Sequence, residues 1–437
     1  MNSNNKDTNF KYPSKSKLNI LLEHYQNDRF EDAEQVALNL TQKYPKDVFA
    51  WKVLSAIFWQ TGRRSDGIEL SKKTISLSPN DDEAHSNLGV MLQEEGRLKE
   101  AEASLINAIS LNSNNPKNHY NLGVILKKLG RLKDAQLSYE KAISFEPNYF
   151  TAYNNLGDIF RSLGKLEEAK LNFKKAISIH PDYAEAHLNL GAVLVDMEKL
   201  EEAVLHFKKA ISLKPDYSKA KHMLAALTGK TTSTAPQEYV ESLFDNYALR
   251  FESSLVSNLE YKIPKILTEI IIEDSKTNSL GSIIDLGCGT GLFGEEIKKF
   301  CDSIIGIDLS KRMLDQAKKK NIYNKLIKED IVTYLSNNYF DFDYFISLDV
   351  FIYVGDLSNV FKLIKFRNKK SGKLAFSVED HDGESFFLER SGRYSHSKTY
   401  IEDLCDKFGY RISYFEELDL RKEKNKYISG ALYILEF

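Results

Sequence analysis

The sequence has little cysteine. Cys288, Cys301 and Cys405 are the only three in 437 residues. They show no paired spacing, which argues against a disulfide framework or a zinc site, so no metal is expected. Charge of one sign is lacking too, with a formal net charge of −2. Counting along the chain gives 32 basic and 29 acidic residues up to Lys230, then 28 and 33 beyond it, or +3 and −5. Neither half carries the basic footprint of a nucleic-acid binder. No segment reaches the roughly 20 apolar residues that cross a bilayer, and the start, "MNSNNKDTNFKYPSKSK", has no apolar core of a signal peptide. Composition, 42% apolar and 28% charged, is that of globular protein. The expectation is a cytoplasmic protein of more than one domain, with neither membrane nor nucleic acid as partner.

The first half repeats with a step of 34. Leu54, Leu88, Leu122, Leu156 and Leu190 keep it, and Gly89, Gly123, Gly157 and Gly191 follow the last four. Ala101, Ala135, Ala169 and Ala203 share it, as do Ala108, Ala142, Ala176 and Ala210. Pro45, Pro79, Pro147, Pro181 and Pro215 lie on one lattice, with Ser113 in the vacant slot. Apolar residues at helical spacing flank the turn glycines Gly96, Gly130 and Gly164. This pattern resembles the tetratricopeptide repeat, a helix–turn–helix unit that buries its apolar face against the next unit. About six units are expected over residues 16–217, the first degenerate, with Ile20 for leucine and Asp28 for the turn glycine.

These readings predict a disordered N-terminus over 1–15, a repeat array with a capping helix over 16–228, and a linker, "KTTSTAPQ", within 229–237. One repeat position is regularly polar: Asn87, Asn121, Asn155 and Asn189. An amide both donates and accepts, so it can grip a peptide backbone without reading side chains. The resemblance places these residues on the groove-lining helices. It thereby implies a protein or peptide partner held through the repeat groove, while a purely structural role stays open.

From 238 to 437 apolar runs alternate with helical patterns, which implies an α/β domain with a mostly parallel sheet. The runs lie near 282–286, 303–307, 324–327, 342–347, 373–377, 410–415 and 430–436. The last two have no helix between them and should pair as an antiparallel hairpin. After the first run comes Asp285-x-Gly287-x-Gly289-x-Gly291. A dinucleotide fingerprint needs a glycine where Leu292 stands, and a P-loop needs Gly-Lys-Ser/Thr. Neither is present. Glycines at a strand–helix junction let the backbone pass close to a ligand.

The D-x-G-x-G-x-G pattern resembles the first motif of class I S-adenosylmethionine-dependent methyltransferases, seven-stranded Rossmann-like domains. "IDLSKRMLDQA" is similar to the family's second motif. The resemblance implies that S-adenosylmethionine is the cofactor. Asp308, with Leu309 beside it, would accept the ribose hydroxyls. Asp330 and Ile331 would meet the adenine, and Asp285, Gly287, Gly289, Gly291 and Asp349 would complete the cofactor site, with Tyr353 close by. On the substrate side, Arg393, Tyr394 and His396 cluster before a helix that Ser397 would cap, and are the candidate catalytic group. "SLFDNYALRFESSLVSNLEYKIPKIL" resembles the lid helices of such enzymes, with Tyr247 and Phe251 on one helical face.

Taken together, the chain resembles a bacterial family of predicted methyltransferases bearing tetratricopeptide repeats. The expected function is methyl transfer with a partner recruited by the repeats. Two alternatives stay open: a small-molecule methyltransferase whose repeats serve assembly, and a scaffold that binds cofactor without turnover. Such repeats also precede a glycosyltransferase, but the second half shows no sugar-nucleotide signature.

Overall fold

The computed structural model describes residues 12–249, 251–252, 255, 259–275, 279–423 and 426–437. Most of the N-terminal segment expected to be disordered, 1–11, and part of the lid stretch, including Arg250, lie outside the described residues. The chain divides into two units, Met1–Pro181 and Asp182–Phe437.

In the first unit, helices run from Lys15–Gln26 to Leu166–Ile179 in antiparallel pairs. The repeat lattice explains the pairing. A Cβ on Gly89 would fall 2.8 Å from Leu105, on Gly123 2.7 Å from Tyr139, and on Gly157 2.8 Å from Phe173. Only glycine leaves room there for a large side chain from the partner helix. The turn position is left-handed in each unit, with φ of 83° at Gly62, 76° at Gly96, 78° at Gly130 and 73° at Gly164. Asp28 occupies the same place in the degenerate first unit at φ 55°, and aspartate is among the few side chains that tolerate it. Asp47 and Asp81 cap the helices they precede by accepting from Ala50 N and Ala84 N.

The second unit opens with the helices Ala184–Asp196, Leu200–Leu213 and Ser218–Leu227, and continues into an α/β domain. Strands β1 (Ser282–Leu286), β2 (Ser303–Asp308), β3 (Lys325–Lys328), β4 (Tyr344–Ser347) and β5 (Lys373–Glu379) lie parallel in the order 3-2-1-4-5. Two short strands follow, β6 (Phe386–Leu388) and β7 (Tyr394–His396), and then β8 (Arg411–Glu423) and β9 (Lys426–Glu436). β9 pairs antiparallel with β5, and β8 with β9, so the main sheet has seven strands in the order 3-2-1-4-5-9-8. β6 and β7 form a small hairpin joined to β5 at Glu379↔Ser395. That hairpin is an addition the apolar runs did not reveal, because three-residue strands are too short to show a period.

Near-continuous burial of β4 and β5 fits a sheet covered on both faces. Phe345, Phe361, Phe376 and Tyr433 fill one side, and Ile283, Ile304, Ile346 and Leu432 the other.

Candidate active site

A cavity of about 470 Å3 lies at the carboxyl ends of β1 to β4. This is the end at which open α/β sheets bind ligands. Asp285, Gly287, Gly289, Asp308, Leu309, Asp330, Ile331, Asp349 and Tyr353 all line it.

The loop from Gly287 to Gly291 is left-handed at each glycine, with φ of 81°, 53° and 89°. Each has its own reason. A Cβ at Gly287 would fall 2.3 Å from Val350 Cγ2, and one at Gly291 3.0 Å from Tyr323. At Gly289 a Cβ would meet only the Phe251 ring, 3.8 Å away in ordinary van der Waals contact, so there the positive φ rather than crowding calls for glycine. Gly291 supports the loop without lining the cavity. Thr290, 1% exposed, lines it and leaves Oγ1 with no hydrogen-bond partner.

Asp308 ends β2. Its Oδ2 accepts from Gly289 N at 2.9 Å and its Oδ1 from Ser310 N at 2.7 Å. The carboxylate thus ties the glycine loop to the next turn and keeps further lone pairs free. Burial pushes its pKa up to about 6 despite these bonds. Asp285 is held by the Tyr323 hydroxyl, 2.6 Å from Oδ2, and burial pushes it up to about 7. Two acids with raised pKa values in one cavity are characteristic of functional sites. Asp330 caps the helix Ile331–Asn337 through Thr333 N at 2.9 Å.

Asp349 is left-handed at φ 58°, just past β4. Its N–H donates to Ser377 Oγ at 2.9 Å and its carboxylate pairs with Arg421. Arg421, 5% exposed, also pairs with Glu379. Arg393 Nε stands 2.8 Å from that same Glu379, and the guanidinium also pairs with Glu423. Arg393 is therefore linked to the cavity wall through Glu379, Arg421 and Asp349. Arg421 and Glu379 belong to no motif, and only the folded β5–β9–β8 register brings them together.

Arg393, Tyr394 and His396 do not line the cavity. The short hairpin turns them into the interior. His396 is 0% exposed, and its Nε2 donates to the carbonyls of Val354 (3.0 Å) and Gly355 (2.9 Å). Burial lowers its pKa to about 4, so it is neutral at ordinary pH. Tyr394, also fully buried, shares a 2.6 Å hydrogen bond with Thr232 Oγ1. Ser397 caps the following helix through Tyr400 N.

The helix Gln237–Tyr247 borders the cavity through Gln237, Val240 and Phe244. Asp245 on it accepts from Ser310 Oγ at 2.6 Å, and Glu241 pairs with Lys328 at 2.7 Å. Phe251 lines the cavity, with Tyr247 edge-on to its ring at 5.8 Å. The segment read as a linker contributes as well. Ser233, Thr234 and Ala235 line the cavity, Ala235 N donates to Tyr353 O at 3.0 Å, and Asp356 N donates to Ser233 O at 2.8 Å. Just before it, His222 donates to Gly392 O at 2.9 Å and packs against Tyr239 and Tyr394.

Of the four asparagines, Asn87 is exposed and Asn121, Asn155 and Asn189 are half-buried. Asn155 Nδ2 donates to Tyr120 OH at 3.0 Å. Among the described residues no cluster of three or more His, Cys, Asp or Glu suits a metal, and no helix is long and apolar enough to cross a membrane.

Fold and cavity together define an open α/β domain with a glycine loop facing an acidic strand end, preceded by helical repeats. Comparison with known families agrees. The "Methyltransferase domain" family matches residues 284–376, and "Tetratricopeptide repeat" and "TPR repeat" families match 116–149 with 184–217, 138–170, and 91–130 with 157–197. An uncharacterized methyltransferase of Schizosaccharomyces pombe is 28% identical over 106 residues, covering 22% of the present chain. The chain spans only 37% of that relative's length. Among solved structures, MamA is 26% identical, covers 38% of this chain and 97% of its own, and has a TM-score of 0.35. The TPR protein YrrB, titled as having an unusual peptide-binding site, is 22% identical with coverage of 43% and 96% and a TM-score of 0.37. The chain thus combines a segment that matches a methyltransferase-domain family with segments that match tetratricopeptide repeat families.

Proposed function

We propose that this protein is an S-adenosylmethionine-dependent methyltransferase of the cytoplasm, and that its repeats hold a protein partner that is, or carries, the methyl acceptor. The observation that carries the reading is the Asp308 carboxylate. Two backbone N–H groups, one of them from Gly289, fix it against the glycine loop in the cavity wall, where its remaining lone pairs suit a ribose diol. The unpartnered Thr290 hydroxyl and the Gly289 backbone in the cavity lining fit a polar ligand pressed against the loop. When bound, S-adenosylmethionine supplies a methyl group activated by positive sulfur. Most of the acceleration then comes from holding the acceptor in line.

The chain's own residues do this holding. Asp308 and Asp330 bind the nucleoside, with Leu309 and Ile331 packed beside it, and Asp285 stands under the glycine loop. Phe244, Phe251 and the 233–235 segment border the cavity and exclude water. Asp349 stands at the β4 end, where the acceptor would enter. Arg393, Tyr394 and His396 act as positioning residues: Arg393 steadies Asp349 through Glu379 and Arg421, and His396 holds the 354–355 turn that follows Tyr353. Asn87, Asn121, Asn155 and Asn189 are proposed to contact the partner peptide.

The bordering segment 233–235 and the modest cavity also favour a second reading, a small acceptor methylated without a protein partner. Calorimetric titration of the full-length protein with S-adenosylmethionine tests the common core of both. One binding event per chain, competed by S-adenosylhomocysteine, is expected. Absence of binding sinks both readings.

A further inference from the structure

Among the described residues the cavity lining contains six carboxylates and no lysine, arginine or histidine. Asp285, Asp308, Glu329, Asp330, Asp349 and Asp356 supply the charge. Arg421 neutralises Asp349 from behind, but its own second partner is Glu379, which Arg393 and Glu423 follow, so that chain of ion pairs adds no net positive charge. Asp356 forms no ion pair among the described residues, although the Lys407 charge acts on it from farther away. It accepts from Ser358 N at 2.9 Å and from Tyr400 OH at 3.1 Å, and these bonds together with Lys407 hold its pKa below the usual carboxylate value although burial opposes them. A second feature is independent of charge: the wall is aromatic. Phe244, Phe251, Tyr261 and Tyr353 line it, with Phe244 edge-on to Tyr353 at 5.4 Å and to Phe251 at 6.2 Å. Aromatic faces attract cations and have no such affinity for anions.

We infer that the methyl acceptor is an amine nitrogen, bound in a cavity whose lining repels an anionic acceptor. The inference rests on the proposed methyltransferase reading and narrows its substrate class. With S-adenosylmethionine at net charge +1, the lining stays negative at neutral pH even with Asp285 part-protonated and Asp349 paired to Arg421. An approaching carboxylate, phosphate or phenolate meets that charge, and its methylation would annihilate positive charge inside a site built to hold it. A neutral amine behaves differently. Its lone pair forms the N–C bond as the S–C bond breaks and its electron pair stays on sulfur. The positive charge moves from sulfur to nitrogen, and the extra proton of the methylated ammonium passes to water on release. The carboxylates and rings then stabilise the charge that develops on nitrogen in the transition state.

The test uses the full-length protein saturated with S-adenosylhomocysteine and two probes of matched shape, 2-phenylethylamine and 3-phenylpropanoate, followed by calorimetry. The amine is expected to bind at least about tenfold more tightly than the acid, and Asp356→Asn to weaken the amine about three- to tenfold while leaving S-adenosylhomocysteine affinity unchanged. Equal or tighter binding of the acid overturns the inference, as does failure of both probes to bind at millimolar concentration. If S-adenosylhomocysteine itself does not bind, the cofactor reading has failed first, and the two failures are told apart.

Discussion

Replacing Asp308 with alanine separates cofactor binding from folding. Two opposing effects act on stability. The change orphans the N–H groups of Gly289 and Ser310, which donate to the carboxylate at 2.9 and 2.7 Å, at about 1–3 kcal/mol each if they stay buried. It also removes a buried charge. Its pKa of about 6 against an unfolded value near 3.8 means that the ionised group costs the fold about 3 kcal/mol above pH 6. The terms nearly cancel, so the unfolding free energy at pH 7.5 should stay within about 2 kcal/mol of wild type. Cofactor affinity has no such compensation. Losing two ribose bonds to a charged acceptor costs about 2–3 kcal/mol, or roughly 30–150-fold in Kd. Calorimetry with S-adenosylmethionine reads the second effect and denaturant melting the first. Unchanged affinity in a folded variant would refute the placement of the ribose at Asp308.

Three further outcomes are expected. Asp285→Asn keeps an acceptor for the Tyr323 hydroxyl and removes a carboxylate with a pKa near 7. It should stabilise the free protein by about 1–3 kcal/mol at pH 8, the advantage fading as pH falls from 7 toward 4, since wild-type Asp285 then takes up its proton; equal denaturant midpoints across that range would contradict this. His396→Ala strands the carbonyls of Val354 and Gly355 and opens a cavity, so a loss of about 2–4 kcal/mol in urea melts is expected. Because its folded pKa is lowered to about 4, the native histidine also contributes stability above its unfolded value near 6.5 that is lost as pH falls from 6.5 to 4; a variant as stable as wild type at pH 7 would place His396 outside the core. Residues 182–437, the second unit, should fold and bind cofactor alone, whereas 238–437 should be less stable or unfolded, having lost Thr232, Ala235 and the His222 contact; equal melting temperatures would make the 218–237 segment dispensable.

The repeats were legible because a 34-residue step forces glycine wherever a partner helix carries Leu105, Tyr139 or Phe173. The seven main strands and the antiparallel pairing of the last two were legible because apolar runs are separated by helical patterns except between those two, whereas the spatial order of the strands was not read from the sequence. The glycine loop and Asp308 were legible because their spacing is local, set by one strand–turn–helix and the next strand end. The environment of Arg393, Tyr394 and His396 was not. Clustered polar and aromatic residues before a capped helix read alike whether they face a cavity or the interior. The deciding feature is a hairpin of two three-residue strands that turns His396 onto backbone carbonyls. Arg421 and Glu379 escaped notice because they are 42 residues apart and meet only through sheet register. The stretch 231–235 reads as linker by composition, yet its hydroxyls and backbone serve partners more than a hundred residues away.

Methyl transfer itself is the most direct test. Full-length protein and its Asp308→Ala variant would be incubated with S-adenosylmethionine labelled in the methyl group and a dialysed lysate of the source cell, and labelled protein separated from labelled small molecules. The account predicts label above background with the wild-type protein, strongly reduced with the variant at low cofactor concentration, and carried on nitrogen. No label in either fraction, from a protein shown to be folded and to bind S-adenosylmethionine, would contradict the claim that this chain is a methyltransferase.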